Sequence, residues 1–266
     1  LKQQTIFKNC ARRLCPDFYK AKYSHWRWKI MKESKRTIGE IVAEDYRTAQ
    51  IFEDHGIDFC CGGKATLSAT CMEKGIDFSS ITEELEAVKS KPVERSQNFT
   101  SWELSFLIGY IINVHHSYIK ENTGQITAYT HKIAEVHGAH HPELIQIAAI
   151  FDKMATDLTV HLQDEEEVFF PAIKRIDMDR KTGATPAGND RETIKNSFAK
   201  LTKEHEEVGD AIHKIRYLAG GYAIPGDVCN TFMVTYQKLK EFENDLHKHV
   251  HLENNILFLK AAQLLK

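Results

Sequence analysis

Twice in this 266-residue chain a histidine precedes a glutamate by four positions at the head of an apolar run. One copy is His161-Leu-Gln-Asp-Glu165, followed by Val168-Phe-Phe-Pro171; the other is His249-Val-His-Leu-Glu253, followed by Ile256-Leu-Phe-Leu259. On an α-helix, positions i and i+4 share a face about one turn apart, so each pair can present an imidazole and a carboxylate together. A single histidine stands upstream of each pair at nearly the same distance: His116 lies 45 residues before His161, and His205 lies 44 before His249. One such pair is ordinary on a helix surface, but two copies with matching upstream histidines and apolar tails point to an internal repeat of helical hairpins. Period does not choose between His115 and His116 for the first hairpin, because His115 aligns with Ile108, Ile111 and Ile119 while His116 aligns with Ile112 and Ile119.

Four imidazoles and two carboxylates are too many for one tetrahedral zinc. They suit a pair of ions bridged by Glu165 and Glu253, and nitrogen and oxygen ligands without thiolate favour iron or manganese. Two desolvated trivalent ions need strong anionic compensation, which the two glutamates and a bridging oxo or hydroxo group can supply. Of the 14 histidines, 12 fall between His115 and His251, where a bland surface would not concentrate them. His131, His137, His140, His141, His213, His247 and His251 are expected at the surface or around the ligands. Phe169 and Phe170 are expected in the core, and Glu166 and Glu167 on a solvated face.

The elements that must hold these residues read as all-α. Four long helices are expected at about 100–136, 142–167, 190–219 and 227–252. Thr100-Ser-Trp-Glu103 forms a capping-box pattern, Pro142 suits a first turn, and the 182–188 loop divides the halves. Antiparallel helices with polar loops make an up-down four-helix bundle over residues 99–266. Residues 91–98 have linker composition. Before them, residues 31–90 read as a small helical domain. It has a capping box at Thr37-Ile-Gly-Glu40, helices at about 38–55, 65–74 and 81–89, and glycine stops at Gly56 and Gly75.

Residues 1–30 carry eight Lys/Arg and one acid, whereas the rest of the chain has 27 basic and 36 acidic residues. This leader has no apolar signal core and is expected to be an extension upstream of the natural start near Met31. The acidic remainder excludes a general attraction to nucleic acid. The longest apolar stretch, around Phe106–Ile112, falls far short of the roughly 20 residues that cross a bilayer. Six cysteines without a CxxC pair or a signal make a reducing cytoplasm the simplest compartment. Cys60 and Cys61 admit three readings: small buried residues, thiolates that pass iron, nitric oxide or electrons, or a vicinal disulfide, which is disfavoured by strain. Gly62, Gly63 and Lys64 would favour a thiolate.

Asp58-Phe-Cys-Cys-Gly-Gly-Lys64, together with the motifs beginning at His161 and His249, resembles the iron-sulfur cluster repair di-iron proteins, whose C-terminal part is hemerythrin-like. The resemblance covers about residues 31–262. It implies His116 rather than His115 as the first-helix ligand and His205 as the third-helix ligand, alongside His161, Glu165, His249 and Glu253. It also implies two non-haem iron ions, oxo- or hydroxo-bridged, in a cytoplasmic and often dimeric protein. Such a protein restores clusters damaged by nitric oxide or peroxide in its iron-sulfur partners, and nitric oxide reduction is ascribed to some members. Leu259 departs from the family's closing proline, so the end of the fourth helix is left open. An oxygen carrier and a redox- or nitric-oxide-sensing regulator are the rival readings. The carrier's extra third-helix histidine is missing, since Gly209 stands four residues after His205.

Overall fold

In the computed structural model, residues 35–60, 62–90, 98–184, 188–226 and 228–266 are described. The leader, Cys61, the 91–97 segment and the centre of the 182–188 loop lie outside them. The chain divides into two units between Val93 and Glu94. Among the described residues all regular structure is helical, apart from one antiparallel bridge, Thr37 to Thr66.

The first unit contains α1 (Ile38–Glu44), α2 (Ala49–Asp54), α3 (Leu67–Lys74) and α4 (Phe78–Lys89). The Thr37 capping box forms: the Glu40 amide donates to Thr37 Oγ1 at 3.2 Å, and the Thr37 amide donates to Glu40 Oε2 at 2.9 Å. The helix expected over 38–55 is broken by a 3₁₀ turn, Tyr46–Thr48, because Asp45 turns to extended backbone and caps the Arg47 amide. The third helix begins at Phe78 rather than 81, since Asp77 caps the Ser80 amide. Gly75 closes α3 with φ +68°, a left-handed conformation that glycine adopts without a Cβ penalty.

The second unit is built of four rods. Rod one runs α5 (Leu104–Tyr110), a π turn (Ile111–His116) and α6 (Ser117–His137). Rod two runs α7 (Glu143–Asp164), a π turn (Glu165–Phe169) and α8 (Phe170–Thr182). Rod three is α9 (Gly188–Leu218). Rod four runs α10 (Asn230–Leu252), a π turn (Glu253–Leu257) and α11 (Phe258–Leu264). α6 packs on α7 and α10, and α9 packs on α7 and α10, which closes a four-helix bundle.

Buried residues on α7 recur at Leu144, Ile147, Phe151, Met154, Leu158, His161 and Leu162, and Glu165 follows. The apolar stripe that drives packing therefore also buries the candidate ligands His161 and Glu165. α10 does the same through Phe232, Leu239, Phe242, Leu246 and His249. Phe151 and Phe242 meet with ring centroids 5.3 Å apart, and Phe169 and Phe258 at 5.2 Å. Arg175 grips the buried Asp190 with two bonds, 2.7 and 2.9 Å, fixing the start of α9 to α8.

Three helix limits differ from expectation. The 100–136 helix starts at Leu104 because Thr100 donates to Asn98, and Glu103 pairs with Lys181 at 2.6 Å instead of reaching back. Rods two and four continue beyond 167 and 252 because a π turn carries each helix through the ligand motif. Leu259 leaves the last helix intact. Since a π turn forms at the same offset beside Pro171 and beside Leu259, the proline is not its cause.

All six expected ligands lie in the second unit, which has its own core. A chain beginning at residue 98 should keep its helical circular dichroism and a cooperative thermal transition. A molten or insoluble product would show that the bundle depends on the first unit.

Candidate metal centre

The six residues His116, His161, Glu165, His205, His249 and Glu253 converge in the bundle, each at most 3% exposed. They form two groups: His116, His249, Glu165 and Glu253, and His161, His205, Glu165 and Glu253. Within each group, one ligand atom per residue lies within 4.8 Å of the others. Both carboxylates belong to both groups. The paired Nε2 atoms stand 3.1 Å apart in His116–His249 and again in His161–His205. His249 and His205 approach Glu253 at 2.9 and 3.2 Å, while His116 and His161 approach Glu165 at 3.5 Å. His115 is buried but turns away, its Nδ1 2.9 Å from Asp245 Oδ1.

All four oxygens of Glu165 and Glu253 are buried without a hydrogen bond. An uncompensated buried carboxylate is penalised by several kcal/mol, and a cation between the imidazoles would remove that penalty. The donor set therefore fits metal. Without one, the charges compensate each other. Burial opposes a charge on His116, but Glu165 and Glu253 outweigh it and push its pKa up to about 10. Burial likewise resists ionisation of Glu253, yet the surrounding imidazoles, His249 foremost, hold its pKa well below the usual range.

A second layer orients the rings. His116 donates from Nδ1 to Glu166 at 2.7 Å, and Glu166 is held by Lys120 at 2.7 Å. His161 donates from Nδ1 to Glu204 at 2.8 Å, and His205 donates to Asn254 Oδ1 at 3.0 Å. A carboxylate can only accept, so Nδ1 carries the proton and Nε2 offers its lone pair to the centre. Phe170 stacks on His116 at 5.6 Å, and Phe258 stacks on His205 at 5.7 Å.

These outer residues were not evident in the sequence. Glu166, expected on a solvated face, instead holds a ligand ring; Glu167 is exposed as expected. Each orienting residue is the chain neighbour of a ligand: Glu166 follows Glu165, Asn254 follows Glu253 and Glu204 precedes His205. The widened π turns let consecutive residues face different helices. Glu166 and Asn254 occupy equivalent places in the two hairpins, the one signal the repeat offered. The remaining equivalence is broken. His115 stands where Glu204 stands in the other hairpin, and it stacks on His249 at 6.2 Å, whose Nδ1 has no hydrogen bond. His247 and His251 are buried, and burial pushes the pKa of His251 down to about 3.

Cys60 is buried, and its amide and thiol both donate to Asp58 Oδ1, at 2.8 and 3.1 Å. The thiol thus contacts a carboxylate, which opposes rather than assists thiolate formation. Cys71 and Cys229 are free thiols. Cys229 is exposed at the head of α10, 3.2 Å from His137 Nε2. That contact, with the Phe232 and Thr231 amides, lowers its pKa from 9.0 to about 7.

Comparison with known proteins came to the same regions. Residues 34–89 match the ScdA_N domain, described as a domain of unknown function, and residues 108–261 match the hemerythrin HHE cation binding domain. An iron-sulfur cluster repair protein ScdA from Staphylococcus epidermidis is 30% identical over 226 residues, covering 85% of this chain and 97% of that protein. ScdA from Staphylococcus haemolyticus is 28% identical, covering 87% and 100%. The iron-sulfur cluster repair protein YtfE from Yersinia pestis is 29% identical, covering 88% and 99%.

Two outcomes follow from this geometry. Glu204→Ala should weaken metal binding by roughly 10–100-fold, as loss of an outer partner does, with unchanged helicity; an unchanged metal titration would deny Glu204 its role. Alkylation of Cys229 should be half-maximal near pH 7, rising with pH as the thiol ionises. His137→Ala should move that midpoint toward 9.0, as followed by mass spectrometry of the modified peptide.

Proposed function

The chain belongs to the family of iron-sulfur cluster repair proteins that carry a hemerythrin HHE domain, and we propose that it holds an oxo- or hydroxo-bridged pair of non-haem irons and restores damaged iron-sulfur clusters with them. The observation that carries this reading is the pair of ligand groups sharing two otherwise unpartnered carboxylates. His116 and His249 would hold one iron and His161 and His205 the other, with Glu165 and Glu253 common to both groups. When bound, such a pair supplies two-electron redox chemistry and a store of iron, with nitric oxide and dioxygen as its small ligands and possible nitric oxide reduction as a consequence.

The chain's own groups set the conditions. Glu166, Glu204 and Asn254 keep protons on Nδ1 so that Nε2 stays available for ligation. Phe170 and Phe258 cover two of the rings and exclude water from the ligand atoms. Gly209, buried one turn beyond His205, supplies no side-chain ligand, which favours repair over an oxygen carrier. The free thiols Cys71 and Cys229 fit a reducing cytoplasm, where damaged cluster proteins would be the partners. No described helix is long and apolar enough to cross a membrane. Cys60 and Cys61 are assigned a thiol role in passing iron or electrons, for which the Asp58 contact at Cys60 must open.

The purified protein should hold about two irons per chain with the Mössbauer signature of a coupled pair, and should reactivate a nitric-oxide-treated iron-sulfur dehydratase. Glu165→Ala combined with Glu253→Ala should lose most of the iron and the reactivation. Cys60→Ser with Cys61→Ser should keep the iron and lose reactivation. Full iron in the double glutamate variant would overturn the ligand assignment, and equal reactivation by the serine variant would leave the cysteines with a structural role only.

A further inference from the structure

A third group of metal-ligand side chains stands in the bundle, separate from the six residues above. Glu243 and His247 are one turn apart on α10, and His213 faces them from α9. One ligand atom from each lies within 4.8 Å of the others. His247 Nε2 is 3.8 Å from Glu243 Oε1, and the rings of His213 and His247 meet at 5.6 Å between centroids. Glu243 and His247 are buried, at 1% and 6% exposure, while His213 is half-buried.

We propose that His213, Glu243 and His247 form a mononuclear site for a divalent transition metal, distinct from the paired centre and reached from solvent at His213. Two imidazoles and one carboxylate are the donor set of zinc or ferrous iron with a position left for water. As in the main centre, rod four supplies a carboxylate and an imidazole four residues apart, here in the reverse order, and α9 supplies one imidazole. His213 follows His205 by eight residues and Glu243 precedes His249 by six, which sets the site roughly 9–12 Å further along the helices.

Two neighbours adapt it to reversible occupation. Arg216 Nη2 lies 2.7 Å from Glu243 Oε1, with its side chain 38% exposed. In the metal-free protein this guanidinium supplies the positive charge that the buried carboxylate requires. A metal ion must displace it, so the site binds more weakly than one with no competing cation. The Tyr222 hydroxyl is buried beside Glu243. Burial, and then Glu243, raise its pKa, which places the phenol within electrostatic reach of the carboxylate. Tyr222 has a left-handed backbone, φ +64°, uncommon for an aromatic residue and retained where surrounding structure imposes it.

The test is a titration of the full-length, iron-loaded protein with cobalt(II), whose visible bands report ligation by imidazole and carboxylate. Wild type should bind one cobalt per chain with its iron content unchanged. His213→Ala and Glu243→Gln should each weaken that binding by more than the roughly 10–100-fold lost with an outer partner. Arg216→Ala should tighten it. Absence of cobalt bands in wild type, or equal affinity in His213→Ala, would overturn the proposal. Should Glu243→Gln fail to fold, the half-exposed His213 substitution decides. Iron measured in the same samples reports on the paired centre, so failure of that assignment is seen separately.

Discussion

Two carboxylates buried in a helical core and faced by four imidazoles are the constraint on which the rest of the bundle depends. Glu165 and Glu253 stand among four imidazoles whose Nε2 atoms point inward. A buried anion left alone is among the most unfavourable features a protein can carry. The fold retains these two because the site is made for cations. Ring orientation, the apolar lids of Phe170 and Phe258, and the local widening of three helices all serve that arrangement.

The widening has a structural logic. In a regular helix the residue after a core-facing ligand points about 100° away, toward a flank or toward solvent. A π turn beginning at Glu165, and another beginning at Glu253, admit one extra residue and re-aim the chain. The ligand then faces the centre while its neighbour, Glu166 or Asn254, reaches the imidazole of the preceding rod. Each hairpin thus braces its own first histidine. The brace between hairpins exists only once, from Glu204 to His161. At His249 the equivalent place is filled by the stacked ring of His115, so the two halves of the centre are held unequally.

Similar reasoning connects the outlying polar residues. Glu243 has the same need for positive charge as Glu253, and in the metal-free bundle Arg216 meets it. Cys60 and Cys229 show how strongly local partners set thiol chemistry. The first donates to an aspartate inside a small helical unit, while the second faces a histidine and the amides of a helix start.

The helical class, the hairpin repeat and the i,i+4 pairs were legible in the sequence because they depend on periodicity, which neighbouring residues along the chain determine. The amphipathic stripe on α7 continues into His161 and Glu165, so the pattern that buries the core also reveals the ligands. Period alone could not separate His115 from His116; that choice came from motif resemblance, and the structure separates them by the direction each ring takes. The start of rod one at Leu104, the passage of rods two and four through their motifs, and the turn of half-buried Glu166 toward His116 were decided by tertiary structure. Each depends on a partner distant in sequence: Lys181 for Glu103, His116 for Glu166 and His205 for Asn254. A π turn gives up regular hydrogen bonding to bring such partners together, and only the packed neighbouring helices can repay that loss.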